Sequence, residues 1–530
     1  MRVILPLFAT AAMMPPLPAL AAALAAFQTA LADPQRAQRR ILADILAANC
    51  GTLYGRRHGF ARISCYEDFA RAVPVAAYED LRPLIERTAA GGRGLLTAEA
   101  VVCFEETGGS TGGAKPVPYT ESLYVAFRRA VLPWLADLRR RRPQAFVGRL
   151  FFIVSPAARE RTHTEGGIPL GSGSDLDYFG TETAAALAPR TLFLPELLSA
   201  QTAQEWQFAC AKLLLGAPDL SFVSLWSPTM LLLFLHTMQT RQDELLPHIA
   251  DPRRRAALAR ALSRDIPDTR AIWPQLDTVS CWTSHTAAAP AAALQKRLPH
   301  VFVEGKGLLA TEFAGSIPFS PPERPSENGG GRFSDGLLPL LAVNSHFYEF
   351  HGANGIVPVW QTRAGEDYRL IVTTQGGLYR YDTGDHVRVH ALRGGVPQIE
   401  FVGRGGLSSD LCGEKLNEAF VRAAMEKVSP DLPEAALLQG VQADPPYYRL
   451  LCAGRAWAQN PAWAARLDDA LGGNPQYAYA RRTGQLAALR LHFCADPQAY
   501  AAGFFRAEQR FAVRKIPLLL PPVAEDGEAV

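Results

Sequence analysis

The sequence has no Cys-x-x-Cys pair: its eight cysteines, at positions 50, 65, 103, 210, 281, 412, 452 and 494, are scattered singly. This argues against a zinc site, gives no disulfide framework and fits a reducing cytoplasm. Neither sign of charge dominates, with 54 Lys and Arg against 51 Asp and Glu. The resulting net charge of +3 is too small to imply a nucleic-acid partner. The arginine runs at 139–142 and 253–255 read as solvated helix ends. No internal repeat is present, and the one biased segment, "PFSPPERPSENGGGRFSDG" (318–336), reads as an exposed loop. Beyond the N-terminus no run reaches the roughly 20 apolar residues that a membrane span requires.

What is there is 530 residues, 48% hydrophobic and 20% charged, enough for a large core. A large domain plus a smaller one is expected at this length. The N-terminus, "MRVILPLFATAAMMPPLPALAAALAAFQTALADP", carries two readings. It is either a cleaved secretory leader ending near Ala30-Leu31-Ala32, or the chain's own first helices packed on the core, since Pro15, Pro16 and Pro18 break the apolar run. Helical patterns at 35–49, 66–72, 122–141, 202–214, 228–241 and 253–263 alternate with strand patterns such as "RLFFIVS", "TVSCW" and "HVFVEGKGLLA". Such alternation predicts α/β layers. From about 368, short β-rich segments joined by glycine turns predict an antiparallel sheet or small barrel. After Gly403, Gly405 and Gly406, where a hinge is expected, helices at 414–427, 460–471 and 497–510 with two strands predict a small α+β domain.

The segment "FEETGGSTGGAKPVPYT" (104–120) bunches glycines with Ser110, Thr111 and Lys115. It is not a Walker loop, because Pro116 follows the lysine where Ser or Thr is required. Its residue types suit a flexible loop around nucleotide phosphates: glycine lets the backbone approach an anion, the hydroxyls donate and the lysine supplies charge. An ordinary glycine-rich turn is the alternative for this loop alone.

This loop resembles the phosphate-binding signature of adenylate-forming enzymes, the superfamily of acyl-CoA synthetases, adenylation domains and luciferases. Thr107, Gly109, Ser110, Thr111, Gly112 and Lys115 match in order, and the proline is displaced to follow the lysine. "GLLATEF" (307–313) is similar to the superfamily's Tyr-Gly-x-Thr-Glu segment, "YRYDTGD" (379–385) to its Tyr-x-Thr-Gly-Asp segment, and "FVGRGGLSSDLCGEKLNE" (401–418) to its Gly-Arg hinge. Between these motifs, "YGRRHGF", "VPVAAYEDLRPLIER", "SCWTSHTAAAPAAALQKRLP", "SHFYEF" and "SDLCGEKLNE" resemble the Gretchen Hagen 3 (auxin-responsive) acyl-acid amido synthetases and their bacterial relatives.

The resemblance implies an α/β fold: a large N-terminal domain (1–402) with two α/β sheets and a β-barrel subdomain, and a small mobile α+β C-terminal domain (403–530). It implies that ATP and Mg²⁺ activate a small carboxylic acid as an acyl-adenylate, which an amine, an amino acid in this branch, then attacks. Gly109, Ser110, Thr111, Gly112 and Lys115 would hold phosphates. Glu312 would hold Mg²⁺, Thr311 would lie near the α-phosphate or adenine, Asp385 would accept from the ribose hydroxyls, and Arg404 would contact ribose or phosphate. Lys415 and Lys515 are the candidates for a catalytic lysine from the C-terminal domain. His346, Phe347 and Tyr348 are candidates for the acyl pocket wall, and His163 and Glu165 for core or pocket wall. An acyl- or aryl-CoA ligase, or a non-catalytic nucleotide or acyl-acid binder, would use the same residues.

Overall fold

The computed structural model describes residues 17–107, 115–153, 163–171, 178–194, 196–200, 203–284, 287–320, 338–404, 408–428, 436–453, 461–495, 497, 500 and 518–525. The chain opens with helices Pro18–Ala32 and Pro34–Asn49. Ile41, Leu42, Ile45 and Leu46 of the second are buried at helical spacing. The first is part of the core: Phe27 is fully buried and meets Phe319 edge-on, with ring centroids 4.9 Å apart. Of the two readings of the N-terminus, packed helices describe residues 18–32.

A hairpin of β1 (Cys103–Thr107) and β2 (Lys115–Tyr119) flanks the expected phosphate loop. Thr120 then caps the long helix Glu121–Arg141, accepting a hydrogen bond from the Leu123 amide at 3.1 Å. Behind that helix lies a four-stranded parallel sheet of β3 (Arg149–Phe152), β4 (Leu220–Ser224), β5 (Thr278–Cys281) and β6 (Phe302–Gly305), in that order. Helices cover it, and one face of its strands is wholly apolar. Phe151, Val223, Val279 and Val303 stand side by side in register, all fully buried. On the opposite face Phe152, Ser224, Ser280 and Glu304 form the neighbouring row.

The β-rich part is a seven-stranded antiparallel sheet. It comprises β7 (Ser316–Ile317), β8 (Leu340–Leu341), β9 (Phe347–Gly352), β10 (Gly355–Pro358), β11 (Asp367–Thr373), β12 (Tyr381–Arg393) and β13 (Val396–Arg404), in spatial order β10-β9-β11-β12-β13-β8-β7. The last part of the chain builds its own layer. β14 (Ser408–Ser409) pairs with β15 (Leu416–Asn417), and β16 (Leu437–Gln442), β17 (Tyr447–Cys452), β18 (Arg490–Phe493) and β19 (Leu519–Ala524) form a mixed sheet ordered β18-β17-β16-β19. Its helices and sheet share a separate cluster of buried residues around Leu416, Phe420, Leu438 and Tyr448.

Two expectations are corrected. The helix expected from residue 414 runs from Glu418 to Val428, because Leu416 and Asn417 pair as β15 and the Asn417 side chain caps the Phe420 amide at 2.9 Å. The arginine run after Leu138 is not simply solvated. Arg141 is mostly buried and donates to Asp137 at 2.7 Å and Glu304 at 2.6 Å, while Arg142 pairs with Asp277 at 2.8 Å.

Candidate active site

A cavity of about 950 Å³ opens at the carboxyl ends of the four parallel strands. Each strand contributes there: Phe152 and Ile153 from β3, Ser224 to Ser227 from β4, Trp282 after β5 and Lys306 after β6. This is where open α/β sheets hold ligands, because the strands end and their connecting loops diverge. The helix Glu121–Arg141 supplies an apolar wall of Phe127, Val131 and Trp134. Residues 412, 413 and 415, with several from 475 to 485, close the side formed by the C-terminal part of the chain.

Thr311 and Glu312 line the cavity together. Glu312 is 5% exposed, yet among the described residues nothing hydrogen-bonds or ion-pairs its carboxylate. The β1–β2 hairpin reaches the same corner through two tyrosines. Tyr119 Oη donates to the Thr311 carbonyl, and Tyr78 Oη donates to the Pro116 carbonyl at 2.9 Å. Lys115 Nζ lies 5.2 Å from the centre of the Tyr78 ring. Burial pushes the Tyr78 hydroxyl's pKa up, and the charge of Glu312 adds to the rise. A buried carboxylate facing a cavity suits Mg²⁺, which is commonly held by one or two carboxylates with substrate phosphates completing its shell. Among the described residues no cluster of three His, Cys, Asp or Glu forms a self-sufficient metal cage, so substrate oxygens would be needed.

Lys415 also lines the cavity, in a left-handed backbone conformation with φ +49°. The turn before it is tied down. The Leu411 and Cys412 amides donate to the Glu414 carboxylate at 2.7 and 2.8 Å, the Gly413 amide donates to Asp410 at 2.6 Å, and Tyr448 Oη also donates to Glu414. Burial, then the neighbouring Asp410, pushes the Glu414 carboxyl's pKa up.

Other expected residues lie elsewhere. Asp385 is 2% exposed, does not line the cavity and sits opposite Arg404 across β12 and β13. The Asp385 amide donates to Thr383 Oγ1 at 3.0 Å, and that hydroxyl donates to the Leu370 carbonyl at 2.8 Å, fixing the turn. Gly109, Ser110, Thr111, Gly112 and Lys515 lie outside the described residues, as does the Arg404 side chain. The expected pocket wall of His346, Phe347 and Tyr348 is corrected: all three are fully buried in the core and none lines the cavity. His346 Nε2 accepts from the Ala314 amide at 3.2 Å, so its proton sits on Nδ1, 2.9 Å from Gln375 Oε1. The imidazole is consumed in holding the sheet together. His163 and Glu165 do line the cavity, as exposed wall residues.

Sequence reasoning missed Lys306 and Trp134. Lys306 Nζ donates to Ser224 Oγ at 2.7 Å and lies 5.3 and 5.5 Å from the ring centres of Trp134 and Trp226. Its signal was a lysine between two glycines directly after an apolar strand, "VFVEGKG".

The GH3 family N-terminal domain profile matches residues 23–302, and that of the GH3 family central domain matches residues 339–404. The chain belongs to the GH3 family. This GH3 chain is 26% identical over 442 residues to a probable indole-3-acetic acid-amido synthetase, GH3.2, of Oryza sativa subsp. japonica, covering 74% of this chain and 69% of the relative. It is 23% identical over 474 residues to the jasmonoyl–L-amino acid synthetase JAR4 of Nicotiana attenuata, covering 80% and 79%. In fold it resembles the AtGH3.15 acyl acid amido synthetase in complex with 2,4-DB, with a TM-score of 0.65 at 17% identity over 97% of this chain and 96% of the other. It also resembles a 2-hydroxyisobutyryl-CoA ligase in complex with 2-HIB-AMP and CoA, with a TM-score of 0.52 at 13% identity over 97% and 92%. The mixed α/β fold with several sheets is therefore shared with both of these structures.

Proposed function

We propose that this GH3 chain is an ATP-dependent acyl-acid amido synthetase. It joins a small carboxylic acid to an amine, an amino acid, through an acyl-adenylate. The observation that carries the reading is the meeting of Thr311, Glu312 and Lys415 on one cavity beyond the parallel strands, in a chain of this family.

In the first step a carboxylate oxygen of the acid attacks the α-phosphorus of ATP and pyrophosphate leaves. In the second the amine nitrogen attacks the acyl carbonyl, AMP leaves and the nitrogen loses a proton to solvent. Negative charge shifts onto the phosphates in the first step, so fixed cations and donors supply the rate enhancement. Lys115 and the loop before it hold the β- and γ-phosphates. Glu312 holds Mg²⁺, which neutralises phosphate charge when bound. Thr311 lies beside the α-phosphate, and Lys415 brings an ammonium to the reacting phosphorus. Asp385 accepts from the ribose hydroxyls, with Arg404 across the hairpin. The aromatic and aliphatic wall of Phe127, Val131, Trp134 and Phe152 takes the body of the acid and excludes water.

Residues 403–530 act as the mobile C-terminal domain on a hinge at Gly403. Two features support this: its φ of +141°, which side chains rarely adopt, and the separate buried cluster of the C-terminal part. The second candidate lysine, Lys515, belongs to that same domain. All eight cysteines are free, which suits the cytoplasm.

The test is pyrophosphate release from ATP and Mg²⁺ across a panel of carboxylic acids, with amino acids or coenzyme A as acceptor. Acid-dependent release raised by amino acids supports the proposal. A rise with coenzyme A alone assigns a CoA ligase, and ATP binding without release under any condition assigns a binder.

A further inference from the structure

The turn that carries Lys415 is built around one side chain. Glu414 is fully buried, and its two carboxylate oxygens gather three donors. The Leu411 amide, at 2.7 Å, and Tyr448 Oη donate to Oε1, and the Cys412 amide donates to Oε2 at 2.8 Å. Tyr448 Oη also lies 2.9 Å from Ser409 Oγ, which ties the turn to β14 and β17. The Glu414 backbone is held too, since its carbonyl accepts from Asn474 Nδ2 at 2.9 Å. Asn474 is itself fully buried and caps the helix Pro475–Arg482, its side-chain oxygen accepting from the Gln476 and Tyr477 amides at 2.9 and 3.1 Å. That helix lines the cavity through Gln476, Ala478 and Tyr479.

Lys415 stands between two fixed neighbours. Glu414 precedes it, and Leu416 after it pairs with Ser409 in the β14–β15 ladder. On the cavity side the turn rests on Trp282: Gly413 has φ +107°, and a Cβ there would come within 3.3 Å of the indole. A side chain held at φ +49°, as Lys415 is, persists only where its surroundings over-determine it. The bonds of Glu414 supply that constraint, because charge-assisted hydrogen bonds to a carboxylate are short, strong and directional. Lys415 lines the cavity and Glu414 does not.

We infer that Glu414 is a positioning residue: by gathering the Leu411 and Cys412 amides and anchoring its own carbonyl on Asn474, it sets the left-handed turn that presents the Lys415 ammonium to the reacting phosphorus. This rests on the reading of Lys415 as the lysine that serves adenylation. No bond forms or breaks at Glu414, so its effect is on where the lysine stands.

The experiment measures pyrophosphate release from ATP and Mg²⁺ with an acid that drives it in the wild type, found by screening a broad panel of carboxylic acids. Lys415→Met, Glu414→Gln, Gly413→Ala and Tyr448→Phe are compared with the wild type, each well below its own thermal midpoint. Glu414→Gln keeps the shape but sets an N–H group against one of the amides. Gly413→Ala pushes the same turn off Trp282 without removing a buried hydrogen bond, so it decides the matter should Glu414→Gln fail to fold. Tyr448→Phe removes one donor and leaves both amides held. The expected result is a kcat lowered about tenfold or more in Glu414→Gln and Gly413→Ala, since a misplacement of about 1 Å can cost a hundredfold. The KM for ATP should change by less than about threefold, the pattern of an interaction made in the transition state. Tyr448→Phe should lower the thermal midpoint and keep most of kcat. A wild-type kcat in folded Glu414→Gln, or in Gly413→Ala where Glu414→Gln does not fold, overturns the inference. A raised KM for ATP at unchanged kcat also overturns it, because the turn then serves binding. So does a kcat that tracks the thermal midpoint across all three turn variants, as a purely structural cluster would give. A wild-type kcat in Lys415→Met removes the lysine's role and this inference with it, while adenylation stands. Silence of the wild type across the whole panel, despite ATP binding, overturns the adenylation reading itself.

Discussion

Asp385 and Arg404 face each other across the β12–β13 hairpin, so two motifs separated in sequence become cross-strand neighbours. The glycine before Asp385 has φ +72°, and the Thr383 hydroxyl receives the Asp385 amide at 3.0 Å. The turn is therefore set without help from a ligand. Asp385→Asn keeps the shape and removes the charge. It should weaken ATP by about 1.5–3 kcal/mol, the range for hydrogen bonds to a charged acceptor. Titration calorimetry with ATP alone reads this, and an unchanged affinity removes Asp385 from the ribose site.

Glu312 separates function from stability. Its buried carboxylate has no hydrogen-bond partner among the described residues, so the fold gains little from it. Glu312→Ala should abolish acid-dependent pyrophosphate release and leave the thermal midpoint unchanged or raised. Turnover that survives the change would take Mg²⁺ away from this residue.

The Lys415 backbone gives a second such separation. At φ +49° a side chain is strained by about 1–2 kcal/mol, a cost that glycine does not incur. Lys415→Gly should therefore lose turnover without lowering the denaturation midpoint, and ATP should still bind. A large loss of stability would show that the lysine holds the turn and is not presented by it.

The buried pair of Glu349 and Arg380 anchors the "YRYDTGD" segment. The guanidinium donates to the carboxylate at 2.8 and 3.0 Å, and to the carbonyls of Ala70 and Val73 at 2.9 Å each. Arg380→Met leaves Glu349 buried and uncompensated, at a cost of about 3–5 kcal/mol. Urea denaturation should show it as a lowered midpoint at similar slope.

His346 makes stability fall in mild acid. Burial lowers its pKa to about 4, against about 6.5 when exposed. The unfolded chain therefore takes up a proton that the folded chain refuses. The contribution of the neutral ring is complete above about pH 6.5 and is lost as pH falls towards 4, on the order of 3 kcal/mol in full. Denaturation midpoints between pH 7 and 5 should fall less steeply in His346→Gln than in the wild type.

Much of the fold was legible from periodicity. The helices at Pro34–Asn49 and Glu121–Arg141 and the strands β3, β5 and β6 stand where their apolar patterns placed them. β19 was not legible, because "LLPPVA" carries two prolines; it is tolerated at the sheet's edge, beside β16 alone. Thr311, Glu312 and Lys415, which line the cavity, could be found through motifs of several consecutive residues. Lys306 stood in "VFVEGKG" but gave no role there, because its meaning comes from Ser224 and two tryptophans distant in sequence. The acyl wall was sought in "SHFYEF", whose aromatic residues are core, whereas the cavity takes its wall from the inward stripe of Glu121–Arg141. A stripe of that kind reads as core until the opposing surface is known.

The measurement that bears most directly on the central claim is pyrophosphate release from ATP and Mg²⁺ by the full chain, with and without a carboxylic acid, and then with an amino acid added. The account predicts no release without acid, release with a suitable acid, and faster turnover with AMP and an amide as products once the amino acid is present. ATP binding with no acid-dependent release across a broad panel of acids would contradict it.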